Sequence, residues 1–181
     1  MVDVQKLDPA IRIEIRYATA NNFVGVPLYP EARFLLRRET AAKLLRVQKR
    51  LEEKGLGLKV FDGYRPLSVQ KKMWAKYPVE GYVANPAKGS NHNRGAAVDL
   101  TLVDKDGHEL PMPSAYDEFS ERAHRDYNGG SEAERRNRQA LEEAMTAEGF
   151  HGISTEWWHF DDTDAKSYPV LDLPFSSVTR E

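Results

Sequence analysis

The chain has 181 residues, 40% hydrophobic and 30% charged, with a formal net charge of -2; that suits one domain, 1–181, with a core over about 10–168 and a tail over 169–181. Lys and Arg are scattered, which leaves no basic field for nucleic acid, and with no cysteine any metal must be held by His, Asp or Glu. No apolar run approaches a membrane span and residues 1–8 lack the basic and apolar stretches of a leader, so a cytoplasmic protein is expected.

In chain order, residues 11–17 alternate apolar and polar with β-branched side chains, the pattern of a half-buried strand that delivers Tyr17 to its end. Residues 22–30 are a loop punctuated by Gly25, Pro27 and Pro30. Ala41, Leu44, Leu45, Gln48 and Leu51 recur at helical spacing before Gly55, which predicts an amphipathic helix over 39–54 with Lys43, Arg46, Lys49, Arg50 and Glu53 on its solvated side. A strand over 56–61 then runs into Asp62-Gly63-Tyr64-Arg65-Pro66, where Pro66 forces Arg65 into an extended conformation, and a second helix is expected over 67–76. Residues 77–89 read as a loop.

Next comes the stretch on which the reading turns, Ser90-Asn91-His92-Asn93-Arg94-Gly95-Ala96-Ala97-Val98-Asp99. It places an imidazole and a carboxylate on either side of a tight turn, with a strand over 96–102. Residues 104–108 signal a hairpin that exposes His108. Residues 111–127 read as an ordered loop because Met112, Tyr116 and Phe119 interleave with its polar residues. Ser131 and Glu134 form a capping box for a helix running to about residue 148. The chain returns over 150–161 as a strand carrying Glu156-Trp157-Trp158-His159. Alternation puts Glu156 and His159 on opposite faces unless the strand bulges or ends there. Two His and one Asp leave one tetrahedral position open, the arrangement of a catalytic rather than a structural zinc site, and Glu156 is then a candidate general base. Of the two tryptophans, one is expected to wall the site off from water and the other to line the pocket. His124 and His151 lack ligand spacing and are read as structural. The tail over 169–175 is expected to pack as an extended segment, and 176–181 to fray.

Ser90-x-His92-x-x-Gly95-x-Ala97-x-Asp99 together with Glu156-x-x-His159 resembles the signature of the zinc D,D-peptidase family. Arg16-Tyr17-Ala18-Thr19-Ala20-Asn21-Asn22-Phe23, Asp62-Gly63-Tyr64-Arg65-Pro66 and Ser114-Ala115-Tyr116-Asp117 resemble its dipeptidase branch. The resemblance, from about Tyr17 to Tyr168, implies one zinc per chain held by His92, Asp99 and His159, with Glu156 as base. It further implies that Arg65, which by itself could pair with a surface carboxylate, stabilises the oxyanion. Asp117, otherwise a turn or cap, would anchor a substrate ammonium, with Tyr17 and Ser90 as further substrate contacts. The implied activity is hydrolysis of D-Ala-D-Ala. The alternatives are a D,D-carboxypeptidase or endolysin-type peptidase acting on longer wall peptides and, remotely, a non-catalytic zinc-binding module. Short strands among about three helices, without βαβ alternation, predict an α+β fold on a mostly antiparallel sheet, and the resemblance implies the same hedgehog/D,D-peptidase-like fold. The oligomeric state is left open.

Overall fold

Residues 1–178 are described by the structure, a computed structural model. The apolar run at the centre of the chain becomes β5 (Ala97–Asp104), flanked by β4 (Leu56–Asp62) and β7 (Glu156–Asp162). With β2 (Arg12–Ile13) and β6 (Phe150–Ile153) at the edges, the sheet runs in the order β2-β4-β5-β7-β6. Only the β2–β4 pair is parallel, so the α+β reading with a mostly antiparallel sheet holds. Val98, Leu100 and Leu102 are fully buried and alternate along β5 with Asp99 and Thr101. The first set joins the core beneath α2 (Arg38–Glu52) and α4 (Glu132–Ala147), which pack on each other and on the sheet. On the other face, Asp99 meets Tyr116 of the 111–127 loop.

The expected helices form. The middle one is α3 (Leu67–Lys76), and α4 opens with the capping box, Ser131 Oγ accepting from Glu134 N–H while the Glu134 carboxylate accepts from Ser131 N–H. Three expectations need correction, and one feature was not foreseen. The strand over 11–17 shrinks to β2, whose pairing with β4 ends with the Glu14 N–H bond to Val60, and the chain turns into a 3-10 helix, Arg16–Ala18. The strand over 150–161 is a hairpin, β6 and β7 reversing at Ser154-Thr155. β1 (Val2–Asp3), which leads into α1 (Val4–Leu7), pairs with β3 (Leu35–Leu36), all unforeseen from sequence, and Val4 is fully buried. The segment after 175 is not frayed as far as residue 178: Phe175 and Val178 are buried and the Arg33 guanidinium donates to both their carbonyls. Residues 179–181 of that expectation lie outside the described residues. The tail over 169–174 does run extended, bonded through Leu171 to Asn93 and Leu67 and through Leu173 to the Tyr64 hydroxyl.

Two irregularities in the ladder decide what faces the site. Between Val60 and Asp62 the β4–β5 register shifts, so Asp62 stands opposite Asp99 rather than Val98. In β7, Gly152 pairs with Phe160 but Ile153 pairs with Glu156, which leaves Trp157, Trp158 and His159 bulged away from β6. A slip by an odd number of residues, one on β4 and three on β7, moves a side chain to the other face. Each bulge thereby turns a carboxylate, Asp62 in one case and Glu156 in the other, toward the side of the sheet that carries Asp99 and His159.

Candidate active site

His92 opens a 3-10 turn, His92–Arg94, that ends at Gly95 in the left-handed region, φ 68°. A side chain there would be strained, and its Cβ would also meet the Met1 side chain at 2.7 Å. The turn delivers His92 to the start of β5, two strand residues before Asp99, while Asp99 and His159 pair directly across β5 and β7. Three atoms converge as a result. His92 Nε2 lies 3.2 Å from His159 Nδ1 and 3.3 Å from Asp99 Oδ1, and His159 Nδ1 lies 3.1 Å from Asp99 Oδ1.

The other ring nitrogens show what those atoms are. His92 Nδ1 is 2.8 Å from the carbonyl of Gly63, which can only accept, so the proton sits on Nδ1 and Nε2 presents a lone pair. His159 Nε2 lies 2.9 Å from Asp161 Oδ1, and a neutral imidazole that donates there presents the lone pair of its Nδ1 to the same point. Asp99 Oδ2 is held by the Tyr116 hydroxyl at 3.0 Å, so Oδ1 is the oxygen turned inward. Three lone pairs aimed at one point repel unless a cation sits between them. Their separations of 3.1–3.3 Å are those of donors sharing an ion at roughly 2.0–2.1 Å in tetrahedral array. The surroundings favour positive charge as well. Burial opposes a charged His159, but Asp161 and Asp99 together raise its pKa well above the ordinary value, so the site holds a proton there that a bound cation would replace. The donor set therefore fits a zinc-type ion, with one carboxylate and two neutral imidazoles oriented by outer partners.

Around this triad lies a cavity of about 630 Å³ whose walls include Tyr17, Arg65, Ser90, Asp117 and Glu156. Glu156 is 8% exposed, and burial pushes its carboxyl up to about 8 while His159 opposes the shift. Arg65 Nε and Nη2 both bond Asp62 Oδ2, at 3.0 and 2.7 Å, and Nη1 bonds Gln70 Oε1 at 2.8 Å. The guanidinium lines the cavity, and Nη2 stands 3.9 Å from Asp99 Oδ2. The Tyr17 hydroxyl donates to Asp117, 3.0 Å from Oδ2, and its ring carries the Arg65 guanidinium at 5.2 Å. Asp117 is the one non-glycine with positive φ, 58°, among the described residues; burial and the nearby Asp99 charge raise its carboxyl to about 7 against the Tyr17 hydrogen bond. Ser90 Oγ accepts from His92 N–H at 3.2 Å, which ties it to the turn.

All eight residues singled out in the sequence thus meet at one cavity. His108 is exposed, as expected, on a turn where Asp104 Oδ1 accepts the backbone N–H of Asp106 and His108. Neither His124 nor His151 reaches the triad. The tryptophans are a correction. Both are buried and neither lines the cavity: Trp157 Nε1 donates to Ser114 Oγ at 2.9 Å, and Trp158 packs edge-on to Tyr116. They anchor the 111–127 loop to β7. Sequence reasoning missed Tyr116, Asp161 and Asp62 as the groups that orient Asp99, His159 and Arg65. Asp161 was within reach of it, because a residue two positions along a strand from a ligand shares its face.

An α+β sheet that presents three converging lone pairs beside a buried carboxyl and a buried guanidinium has the arrangement of a single-metal hydrolase. The comparisons give the family. Residues 1–180 match the peptidase M15 model described as D-Ala-D-Ala dipeptidase, and the chain belongs to that family. It is 41% identical to a D-alanyl-D-alanine dipeptidase of Escherichia coli K12, covering 97% of this chain and 91% of that one. It is 36% identical to the enzyme of that name from Enterococcus faecium (91% and 92% covered) and 34% identical to that of Streptomyces coelicolor (87% and 88%). No helix among the described residues is long and apolar enough to cross a membrane.

Proposed function

We infer that this chain hydrolyses the dipeptide D-Ala-D-Ala to two D-alanines, with one zinc per chain held by His92, Asp99 and His159, in the cytoplasm. The observation that carries the reading is the convergence of the three lone pairs on the wall of a cavity that also presents Glu156, Arg65 and the Tyr17–Asp117 pair. Membership of the dipeptidase family supports the substrate. When bound, the ion supplies Lewis acidity to the scissile carbonyl and lowers the pKa of water.

The chain's own groups do the rest. Asp117, steadied by the Tyr17 hydroxyl, pairs with the ammonium of the dipeptide and sets its register. Glu156 takes a proton from the attacking water and passes it to the departing amine. Its buried, raised carboxyl suits a group that must carry that proton for part of the cycle. Arg65, fixed by Asp62 and Gln70, aims its remaining N–H groups at the oxygen on which negative charge develops, and a donor already in place needs no reorganisation at that moment. Ser90 helps shape the wall. The test is release of free alanine from D-Ala-D-Ala, measured by ninhydrin, with chelator and then with zinc added back. Turnover that vanishes with chelator and returns with zinc is expected; no alanine release from the zinc-loaded protein would overturn the reading.

A further inference from the structure

The bulge that turns Glu156 toward the site leaves a gap in the ladder, and one side chain fills it. Trp157, Trp158 and His159 have no partner residue on β6, so their backbone groups on that edge need other partners. Arg125, from the loop before α4, supplies them. Its Nη2 donates to the carbonyl of His159 at 2.6 Å and of Trp157 at 3.2 Å, and its Nε donates to that of Ile153 at 2.8 Å. Its backbone N–H donates to Ser154 at the β6–β7 turn. The guanidinium lies 4.3 Å from the Phe160 ring centre, on the face that alternation sets opposite His159, and Nη1 stands 3.5 Å from Glu142 of α4. Gly152 makes room for it: a Cβ there would stand 1.9 Å from Arg125 Cζ. The segment is itself held, because Arg138 of α4 donates to the carbonyls of His124 and Tyr127 on either side.

We propose that Arg125 is a positioning residue for the hydrolysis: its guanidinium stands in for the missing strand partner across the β7 bulge and so keeps Glu156 and His159 on one cavity wall. The proposal rests on the peptidase reading above. A planar fork with several N–H groups can bond three carbonyls on the two strands of a bent hairpin at once, and a lysine ammonium, a single point of charge, cannot reproduce that geometry. Arg125 is absent from the cavity wall, so it acts through the strand rather than on substrate. A displacement of about 1 Å at a reacting group can lower a rate by about 10²-fold.

The experiment compares wild type, Arg125→Lys, Glu156→Gln and the double variant, all zinc-loaded, on D-Ala-D-Ala. Arg125→Lys is expected to lower kcat at least about tenfold with KM within about threefold, and the double variant to lose less than the product of the two single effects, because the part of the Arg125 effect that runs through Glu156 is already gone. In the zinc-free proteins, hydrogen–deuterium exchange is expected to rise in residues 150–162 and not elsewhere. Gly152→Ala, which pushes the guanidinium away without touching its charge, should give the same pattern and carries the test if Arg125→Lys does not fold. A kcat within twofold of wild type, a double variant that loses the product of the two single effects, or exchange that rises throughout the chain overturns the proposal. Absence of wild-type turnover would instead sink the peptidase reading.

Discussion

Glu156 and Asp117 are two carboxyls drawn away from water for different purposes. Glu156→Gln keeps the shape but removes the basic oxygen, so metal content should stay at the wild-type level while kcat drops by ~10²–10⁴; near-normal turnover would remove the base from Glu156. Asp117 is raised to about 7 chiefly by burial, so the fold binds its proton more tightly than the unfolded chain does. Stability therefore falls as pH climbs from the ordinary carboxyl range toward 7, and the full deficit persists above it. Asp117→Asn, which tolerates the same left-handed backbone, should melt higher than wild type at pH 8 and lose that advantage near pH 4. Its effect on function should be the reverse. An N-acetylated dipeptide leaves the Asp117 carboxylate without an ammonium, at about 2–5 kcal/mol, or roughly thirty- to several-thousand-fold in kcat/KM. Free D-Ala-D-Ala should be preferred by that margin, and comparable rates on the two substrates would point to a carboxypeptidase.

At the scale of elements, the same physics limits which variants are informative. Asp62 is fully buried, its carboxyl raised by burial and lowered by Arg65, so Arg65→Ala would strand a charge and unsettle the β4 bulge along with the chemistry. Arg65→Lys keeps a cation beside Asp62 while losing the fork, and is the cleaner probe of kcat. Far from the site, Ser131→Ala removes the side-chain acceptor that caps α4. It should lower stability by ~1 kcal/mol, a melting point shift of about 2–4 °C for a chain of this size, with kcat/KM on D-Ala-D-Ala unchanged. A parallel loss of activity would mean that α4 holds the 124–127 segment less rigidly than its Arg138 bonds indicate.

For the whole molecule, the triad joins the 92–99 stretch to His159 sixty residues on, so an ion bound there stabilises the folded state against the unfolded chain, in which His159 is far from the other two donors. Zinc at a thousandfold excess over its dissociation constant adds about 4 kcal/mol, which at roughly 2–4 °C per kcal/mol raises the melting point by about 10 °C. Chelator should reverse the shift. His92→Ala, left with two protein donors, should show little of it; a full zinc-dependent shift in that variant would take His92 out of the ligand set.

The sequence by itself determined the residue types and the periodic elements. The helices over 67–76 and from the Ser131 capping box were legible because apolar spacing and capping are local, and His92, Asp99, Glu156 and His159 because their motif resembles a family's signature. It also foresaw that Glu156 and His159 could share a face only through a bulge or strand end. Only the tertiary structure decided which residues orient them. Tyr116 meets Asp99 across 17 positions and Arg125 reaches His159 across 34, and such contacts leave no periodicity to read. The same holds for the tryptophans, whose apolar rings fitted a pocket wall or a core equally well until the 111–127 loop was seen packed on β7. Register is a property of paired strands. Whether Asp62 faces a helix or the metal site is fixed by its partner on β5, and a single chain read residue by residue has no partner to consult.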